Sequence, residues 1–118
     1  DWDAINAMSA QDTPNPWCQA LVETFSDRGY HIIFLTARNE TARAVTETWL
    51  NANIVTTYQL YMRPAKDFRP DYIIKEGIYF SELQPNYDIE FTVEDKQTVV
   101  DMWRRNNVVC LQCEPNHE

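Results

Sequence analysis

Two adjacent carboxylates, Glu94 and Asp95, follow directly after a short apolar segment, Ile89–Val93. The β-branched and aromatic residues of that segment are typical of a buried strand. Two carboxylates at a strand end repel each other unless a proton or a cation separates them. Mg²⁺ prefers oxygen ligands, and one or two protein carboxylates suffice when waters and a substrate phosphate complete its shell. The pair therefore predicts a Mg²⁺ site, and a solvated acidic turn before the next helix is the alternative for an isolated pair.

A hydroxyl and a cation follow a second apolar segment. Tyr30–Leu35 is a continuous apolar run between turn signals, which predicts a strand buried on both faces, and Thr36 and Arg38 come directly after it. A hydroxyl can hold a phosphate oxygen, and a guanidinium can neutralise one. Each residue also has a structural alternative, since Thr36 could cap the next helix and Arg38 could pair with Glu40 or Asp95.

The one basic island in an acidic chain lies between residues 63 and 69. Arg63, Lys66 and Arg69 are opposed there by Asp67 alone, and Lys75 follows in the next predicted helix. Together with Thr36 and the carboxylate pair, these cations provide what phosphoryl transfer needs. Taken singly, Lys75 is an ordinary helical lysine.

The elements that must position these residues alternate along the chain. Apolar periodicity and breaker residues predict helices at about 16–28, 40–51, 70–83 and 97–106, and strands at about 30–35, 57–62, 89–93 and 108–112. This alternation predicts an α/β fold, a doubly wound layer structure around a mainly parallel sheet. The candidate residues follow strand ends, so they converge on the carboxyl edge of that sheet, where ligands bind in such folds.

Composition narrows the class of protein. The chain has 118 residues, a formal net charge of −8, three cysteines and 44% hydrophobic residues, which suits a single globular domain in a reducing cytoplasm. No apolar run reaches transmembrane length, so no membrane partner is expected. The acidic balance argues against a grip on long stretches of nucleic-acid backbone, but it is compatible with one phosphate ester at a strand end or on a nucleotide.

The order of the motifs resembles the haloacid dehalogenase (HAD) phosphatase superfamily. Leu35-Thr36-Ala37-Arg38, then Lys75, then Val93-Glu94-Asp95-Lys96 look like its second, third and fourth motifs. More narrowly, the segment 94–105 resembles the end of the 3′-phosphatase domain of phage polynucleotide kinase, and 62–63 and 71–76 are also similar to it. The resemblance covers about residues 16–112, and the segment 94–105 is its specific part.

The resemblance implies a Mg²⁺-dependent phosphomonoesterase that acts on the 3′-phosphate of a polynucleotide. It implies that Thr36 hydrogen-bonds the transferred phosphoryl group and that Lys75 stabilises the nucleophile and the phosphorylated enzyme. Asp95, with Glu94, would hold the metal. The family usually has two aspartates or Gly-Asp at this motif, so which carboxylate touches Mg²⁺ stays open.

Substrate contacts come from the cationic residues. By the resemblance Arg38 and Arg63 would contact the substrate, and we count Arg69 of the basic loop with them.

The family's nucleophile lies in an Asp-x-Asp-Gly-Thr block after the first strand, and this sequence has no such block. Asp1-Trp2-Asp3-Ala4 has the spacing but lacks a preceding apolar strand and a following Gly-Thr, so neither aspartate is assigned as nucleophile. We interpret residues 1–13 as a remnant of a cap or loop segment, with helical turns over about 3–8, and residues 14–118 as the HAD-like core. The central first strand is then missing, and we expect a segment outside this sequence or another chain to supply it. The chain alone should be inactive and poorly soluble.

Three other classes of protein share some of these features. Receiver domains combine the same residue types, but their acidic pair comes first, whereas Thr36 and Lys75 precede Glu94 here. A nucleoside monophosphate phosphatase of the same superfamily is an alternative, because the chain lacks an extended basic stripe. A catalytically inactive binding or assembly module is a further alternative, because the nucleophile block is absent.

Overall fold

A computed structural model of the protein describes residues 2–6 and 16–114. The strands are β1 (Trp2–Asn6), β2 (His31–Asn39), β3 (Gln59–Arg63), β4 (Tyr87–Glu94) and β5 (Cys110–Gln112). The helices are α1 (Pro16–Asp27), α2 (Arg43–Asn53, after a 3₁₀ turn at Glu40–Ala42), α3 (Asp71–Ile78, continued by a π-helical turn at Tyr79–Leu83) and α4 (Gln97–Arg105). The four helices and four strands predicted between residues 16 and 112 are confirmed, with ends shifted by up to a few residues.

The five strands form one sheet in the order β3-β2-β1-β4-β5, and every neighbouring pair is parallel. The order reverses after β1, as in doubly wound folds, and helices cover both faces. The predicted α/β fold class is therefore confirmed.

Strand β2 shows why the sheet is buried on both sides. Ile33 and Leu35 pack with residues of α3 and α4 in one core cluster, whereas Ile32 and Phe34 pack with residues of α1 and α2 in another. Successive strand side chains point to opposite faces, so a continuous apolar run supplies both cores.

The prediction of a missing central strand is wrong. Residues 2–6 form β1 and pair with β2 on one side and with β4 on the other. The helical turns that we predicted over 3–8 are therefore not formed at 2–6, and no outside segment or second chain is needed to fill the gap. Our reason for expecting poor solubility, two open inner strand edges, also disappears.

Residues 7–13, the rest of the segment that we interpreted as cap or loop, lie outside the described residues, as does residue 1. The division of the chain at residue 13 stays a prediction. Among the described residues, no helix has the length and apolar character that crossing a membrane requires.

Candidate functional site at the carboxyl edge of the sheet

Three strand ends bring the predicted residues to one edge of the sheet. Thr36 lies near the end of β2, Arg63 is the last residue of β3, and Glu94 is the last residue of β4. Lys75 reaches the same edge from α3, because its amine contacts Glu94. The parallel sheet thus gathers a hydroxyl, cations and carboxylates, as the sequence predicted.

The centre of the site is a buried ion pair between Lys75 and Glu94. Lys75 Nζ lies 3.0 Å from Glu94 Oε1, and the two side chains are only 3% and 1% exposed. Lys75 is buried because it shares the packed face of α3 with Ile74 and Ile78. Since an unpaired buried charge is costly, each group depends on the other to remain ionised in this position.

Burial raises the pKa of Glu94, and the charge and hydrogen bond of Lys75 oppose that rise. A side-chain hydrogen bond with Asp95 raises the pKa further, whereas the backbone N–H of Lys96, 3.4 Å from Glu94 Oε2, lowers it. The net direction is upward, so this carboxylate is held in an environment that favours a proton or a cation beside it.

Asp95 follows Glu94 directly in the chain, and its carboxyl group contributes to the raised pKa of Glu94. Two neighbouring carboxylates repel each other unless a proton or a cation lies between them. Among the described residues, no cluster of three or more His, Cys, Asp or Glu forms a ready-made metal cage. Mg²⁺ commonly uses one or two carboxylates and takes its other ligands from water and phosphate, so this pair fits it.

Thr36 is buried at the end of β2. Its Oγ1 accepts the backbone N–H of Arg38 at 3.1 Å, which leaves the hydroxyl proton able to donate. Ala37 and Arg38 bulge out of register between the pairs Thr36–Met62 and Asn39–Arg63. Bulges re-aim side chains at the rims of sites, and this one leaves the Arg38 side chain exposed beside the buried threonine.

Arg63 organises the loop that follows β3. Its Nε donates to the carbonyl of Ala37 at 2.8 Å, and its Nη1 donates to the carbonyls of Asp67 at 2.8 Å and Arg69 at 2.6 Å. Its Nη2 donates to Asp71 Oδ1 at 2.8 Å. The planar fork of the guanidinium serves several acceptors at once, so the structure gives Arg63 a positioning role, and its predicted contact with substrate stays a prediction.

Asp71 is a site residue that our sequence reasoning missed. It accepts from Arg63 on Oδ1 and from Lys96 Nζ on Oδ2, the latter at 2.8 Å. Burial raises its pKa, but the hydrogen bond and charge of Lys96, together with the charges of Lys75 and Arg63, lower it more, so the net shift is downward. Its position at the first turn of a helix, directly after a basic loop, was the available signal.

Arg69 lies at the outer rim. Its guanidinium donates from Nε to Asp67 Oδ1 at 2.9 Å and from Nη2 to Asp67 Oδ2 at 2.7 Å, and its side chain is 61% exposed. Arg38 and Arg69 thus lie near solvent, whereas Thr36 and Lys75 lie in the interior.

Asp3 lies at the wrong end of the sheet for catalysis at this edge. It pairs with Asp88 of β4, six residues before Glu94. At about 3.3 Å per strand residue, that separation is roughly 20 Å. This register gives Asp3 no place at the site, and Asp1 lies outside the described residues.

The sequence model of the polynucleotide kinase PNKP phosphatase domain matches residues 3–117. The chain belongs to this family. The match spans nearly the whole phosphatase domain described above, including all the candidate site residues, and it confirms the resemblance found in the sequence.

Other relatives agree with this assignment. The domain is 27% identical over 74 residues to a putative bifunctional polynucleotide kinase/RNA ligase of Autographa californica nuclear polyhedrosis virus, a match that covers 62% of this chain and 11% of the viral protein. It also resembles a chain in a structure of the Pnkp1/Rnl/Hen1 RNA repair complex, with a TM-score of 0.93, 27% identity and coverage of 99% of this chain and 44% of that chain. A second structure of a Pnkp1/Rnl/Hen1 complex gives a TM-score of 0.86 at 26% identity, with 98% and 47% covered. The phosphatase domain thus spans less than half the length of these relatives.

Proposed function

We propose that the protein containing this phosphatase domain hydrolyses 3′-phosphomonoesters at polynucleotide ends and that it depends on Mg²⁺. The observation that carries the proposal is the buried Lys75–Glu94 ion pair at the carboxyl edge of the sheet, beside Asp95, in a member of the PNKP phosphatase-domain family. A buried ion pair at a ligand-binding edge is a common feature of sites that stabilise the charge developing during group transfer.

Each side chain has a chemical task in this proposal. The buried amine of Lys75, fixed by Glu94, provides positive charge where negative charge develops during phosphoryl transfer. The hydroxyl of Thr36 donates to a phosphoryl oxygen, and Arg38 lies exposed nearby to meet the rest of the ester. Asp95, with Glu94, would hold Mg²⁺. The ion, when bound, neutralises charge on phosphate oxygens.

The nucleophile is the remaining requirement. The family's nucleophilic block is absent from this sequence, and the register places Asp3 far from the site. We therefore propose that the 118-residue chain alone releases no phosphate. We also propose that it acts as part of a longer protein, as its relatives' lengths suggest, and that activity is measured in that parent protein.

The choice of substrate draws on the relatives. Their names refer to polynucleotide kinase, RNA ligase and an RNA repair complex. These names support a nucleic-acid substrate over a free nucleotide, and among nucleic acids they favour RNA.

The test is phosphate release by the parent protein from a 3′-phosphorylated RNA oligonucleotide, the matching DNA and a nucleoside 3′-monophosphate, with MgCl₂ or with EDTA. We expect turnover of the RNA end with Mg²⁺ and none with EDTA. Equal or better turnover of the free nucleotide would point to the nucleoside monophosphate alternative, and no turnover of any ester would refute the proposal.

A matched pair of variants ties the activity to the site. Thr36→Val should lower kcat by about 10²- to 10³-fold, the size observed for losing one preorganised donor. Thr46→Val is the control, because Thr46 is equally buried, in α2, and the described structure gives its hydroxyl no hydrogen-bond partner. It should keep kcat within about threefold of the wild-type value, since it removes no donor from the site.

A further inference from the structure

Phe68 is the most exposed large apolar side chain among the described residues, at 87%. It lies in the basic loop, residues 63–69, which begins at the last residue of β3 and leads to α3. A single exposed apolar side chain is common on protein surfaces and by itself indicates nothing. Phe68 differs from an ordinary loop residue because hydrogen bonds hold the backbone on both sides of it.

Arg63 holds the loop from within. It donates to the carbonyls of Asp67 and Arg69, the two neighbours of Phe68 in the chain. The same neighbours also bind each other, since Asp67 Oδ1 accepts from Nε of Arg69 at 2.9 Å and from its backbone N–H at 3.3 Å. Phe68 is therefore presented to solvent on a fixed turn, which reduces the entropy lost when a ligand packs on its ring.

Charge in this loop is opposite to that of the chain. Between residues 63 and 70 there are three cationic residues, Arg63, Lys66 and Arg69, against the single acid Asp67, in a chain of net charge −8. Lys66 is exposed and has φ = 67°, so it lies at the turn of the loop. An exposed aromatic ring beside cations is the combination that binds single-stranded nucleic acid, where bases stack on the ring and cations contact the backbone.

The loop also connects directly to the site. Arg63 links it through Asp71 to Lys96, which follows Glu94 and Asp95, and through the carbonyl of Ala37 to the end of β2. The loop thus lies at the rim of the carboxyl edge, where the chain of a substrate would leave the site.

We propose that Phe68 is a stacking platform for a nucleobase close to the 3′-phosphate and that Lys66 contacts the adjoining backbone. The inference rests on the proposed function for its substrate class, a single-stranded polynucleotide end. A protein partner fits the surface less well, because the other exposed large apolar side chains of the described residues lie outside this loop. Those residues are Trp17, Val45, Val55, Phe80, Val109 and Leu111.

The test measures binding, so it does not depend on turnover. Dissociation constants of the parent protein for a fluorescent 3′-phosphorylated oligonucleotide are measured in EDTA, and again for an oligonucleotide whose last two nucleotides are abasic. Phe68→Ala should raise Kd for the natural strand by about 5- to 150-fold, the range for losing one base–aromatic stack. It should change Kd for the abasic strand by less than about twofold, because the phosphates and their contacts are unchanged.

Three further variants separate the contribution of the ring from that of the charge. Phe68→Trp should keep or improve binding, whereas Phe68→Leu, which is apolar but has no π face, should lose affinity for the natural strand only. Lys66→Ala should raise Kd for the natural and the abasic strand by the same factor, and it should reduce the salt dependence of Kd.

Unchanged binding of the natural strand by Phe68→Ala would overturn the proposal, and so would an equal loss on natural and abasic strands, which would indicate a disturbed loop. Absence of phosphate release from every ester would refute the proposed function, and the binding comparison would still give its own result for Phe68.

Discussion

Replacing Lys75 by methionine isolates the contribution of the buried ion pair. Methionine has an unbranched apolar side chain like the stem of lysine, lacks only the terminal amine position and has no charge, so the packing of α3 is preserved. Glu94, 1% exposed, then loses the amine that lies 3.0 Å from its carboxylate. Burial already raises the pKa of Glu94, and removing the Lys75 charge, which opposes the rise, moves that pKa further upward.

The size of the effect follows from the least costly response of the folded protein, which is to protonate Glu94. A glutamate in the unfolded chain has a pKa of about 4.3, so binding a proton at pH 7 costs about 2.7 × 1.36, or about 3.7 kcal/mol. The free energy of unfolding of Lys75→Met should therefore fall by about 3–4 kcal/mol at pH 7, which agrees with the about 3–5 kcal/mol found when buried pairs lose one member.

The sign of the pH dependence is determined by the same proton. In Lys75→Met the folded state binds a proton on Glu94 that the unfolded state releases above about pH 4.3, so stability falls as pH rises, by up to about 1.4 kcal/mol per pH unit. The double variant Lys75→Met/Glu94→Gln has no carboxyl group there. It should lose that slope and recover most of the stability, because an uncharged pair replaces the unpaired acid.

Urea unfolding followed by tryptophan fluorescence, at pH 5 and pH 7.5 in EDTA, measures both effects. Equal stability of wild type and Lys75→Met at pH 7.5 would refute the reasoning. An identical pH slope in the single and double variants would do so as well, since it would show that Glu94 is not the group that titrates.

Three further outcomes are expected. Asp95→Asn in the parent protein should abolish Mg²⁺-dependent phosphate release while changing the melting temperature by only about 2–4 °C, and undiminished turnover would remove Asp95 from the site. Asp71→Asn should lower the free energy of unfolding by about 1–3 kcal/mol at pH 7, because Asp71 loses the charge of its hydrogen bonds to Lys96 and Arg63. Since the pKa of Asp71 is lowered on folding, that difference should shrink as the pH falls below the ordinary aspartate value of about 3.9, and a constant difference in urea unfolding from pH 7 to pH 3 would contradict it. Burial raises the pKa of Cys113 to about 11, so alkylation by iodoacetamide at pH 8, followed by mass spectrometry, should be at least about tenfold slower in the native than in the urea-unfolded protein.

The helices and strands that the sequence predicted have one property in common. In each, the pattern of apolar residues within the segment is enough to indicate its secondary structure. Tyr30–Leu35 is apolar at every position but one, and the strand there is buried on both faces, as such runs are in parallel sheets. Gln97–Arg105 has apolar residues at helical spacing, and Val99, Val100 and Trp103 are fully buried. In both segments the side chains alone identify the buried surface.

Strand β1 was missed because its sequence carries almost no local signal. Trp2-Asp3-Ala4-Ile5-Asn6 is five residues long and includes aspartate, alanine and asparagine, which are depleted in strands. Its strand conformation comes from hydrogen bonds to β2 and β4 on its two sides, and those partners lie more than 20 residues away in the chain. Tertiary pairing overrides weak propensity here, as it does in many central strands.

In the site, the sequence predicted which residues would lie there, but it did not predict several of their hydrogen-bond partners. Position after a strand end predicted that Thr36 and Glu94 would reach the carboxyl edge, because parallel topology alone requires it. The partners of Arg63 could not be predicted, since three of its four acceptors are backbone carbonyls, which every residue possesses. The pairing of Lys75 with Glu94 depends on how α3 packs across the sheet, which no spacing of residues specifies.

Strand β1 separates the two halves of the site. The strands that carry Thr36 and Glu94 are one strand position apart, since β1 lies between β2 and β4. With neighbouring strands about 4.8 Å apart, the two flanking strands stand roughly 10 Å apart at the edge. A phosphoryl group at the carboxyl end of the central strand would then have the Thr36 hydroxyl on one side and the Glu94 carboxylate with its Lys75 partner on the other. The central strand determines the width of the site, whereas the groups that we propose for catalysis come from the elements around it.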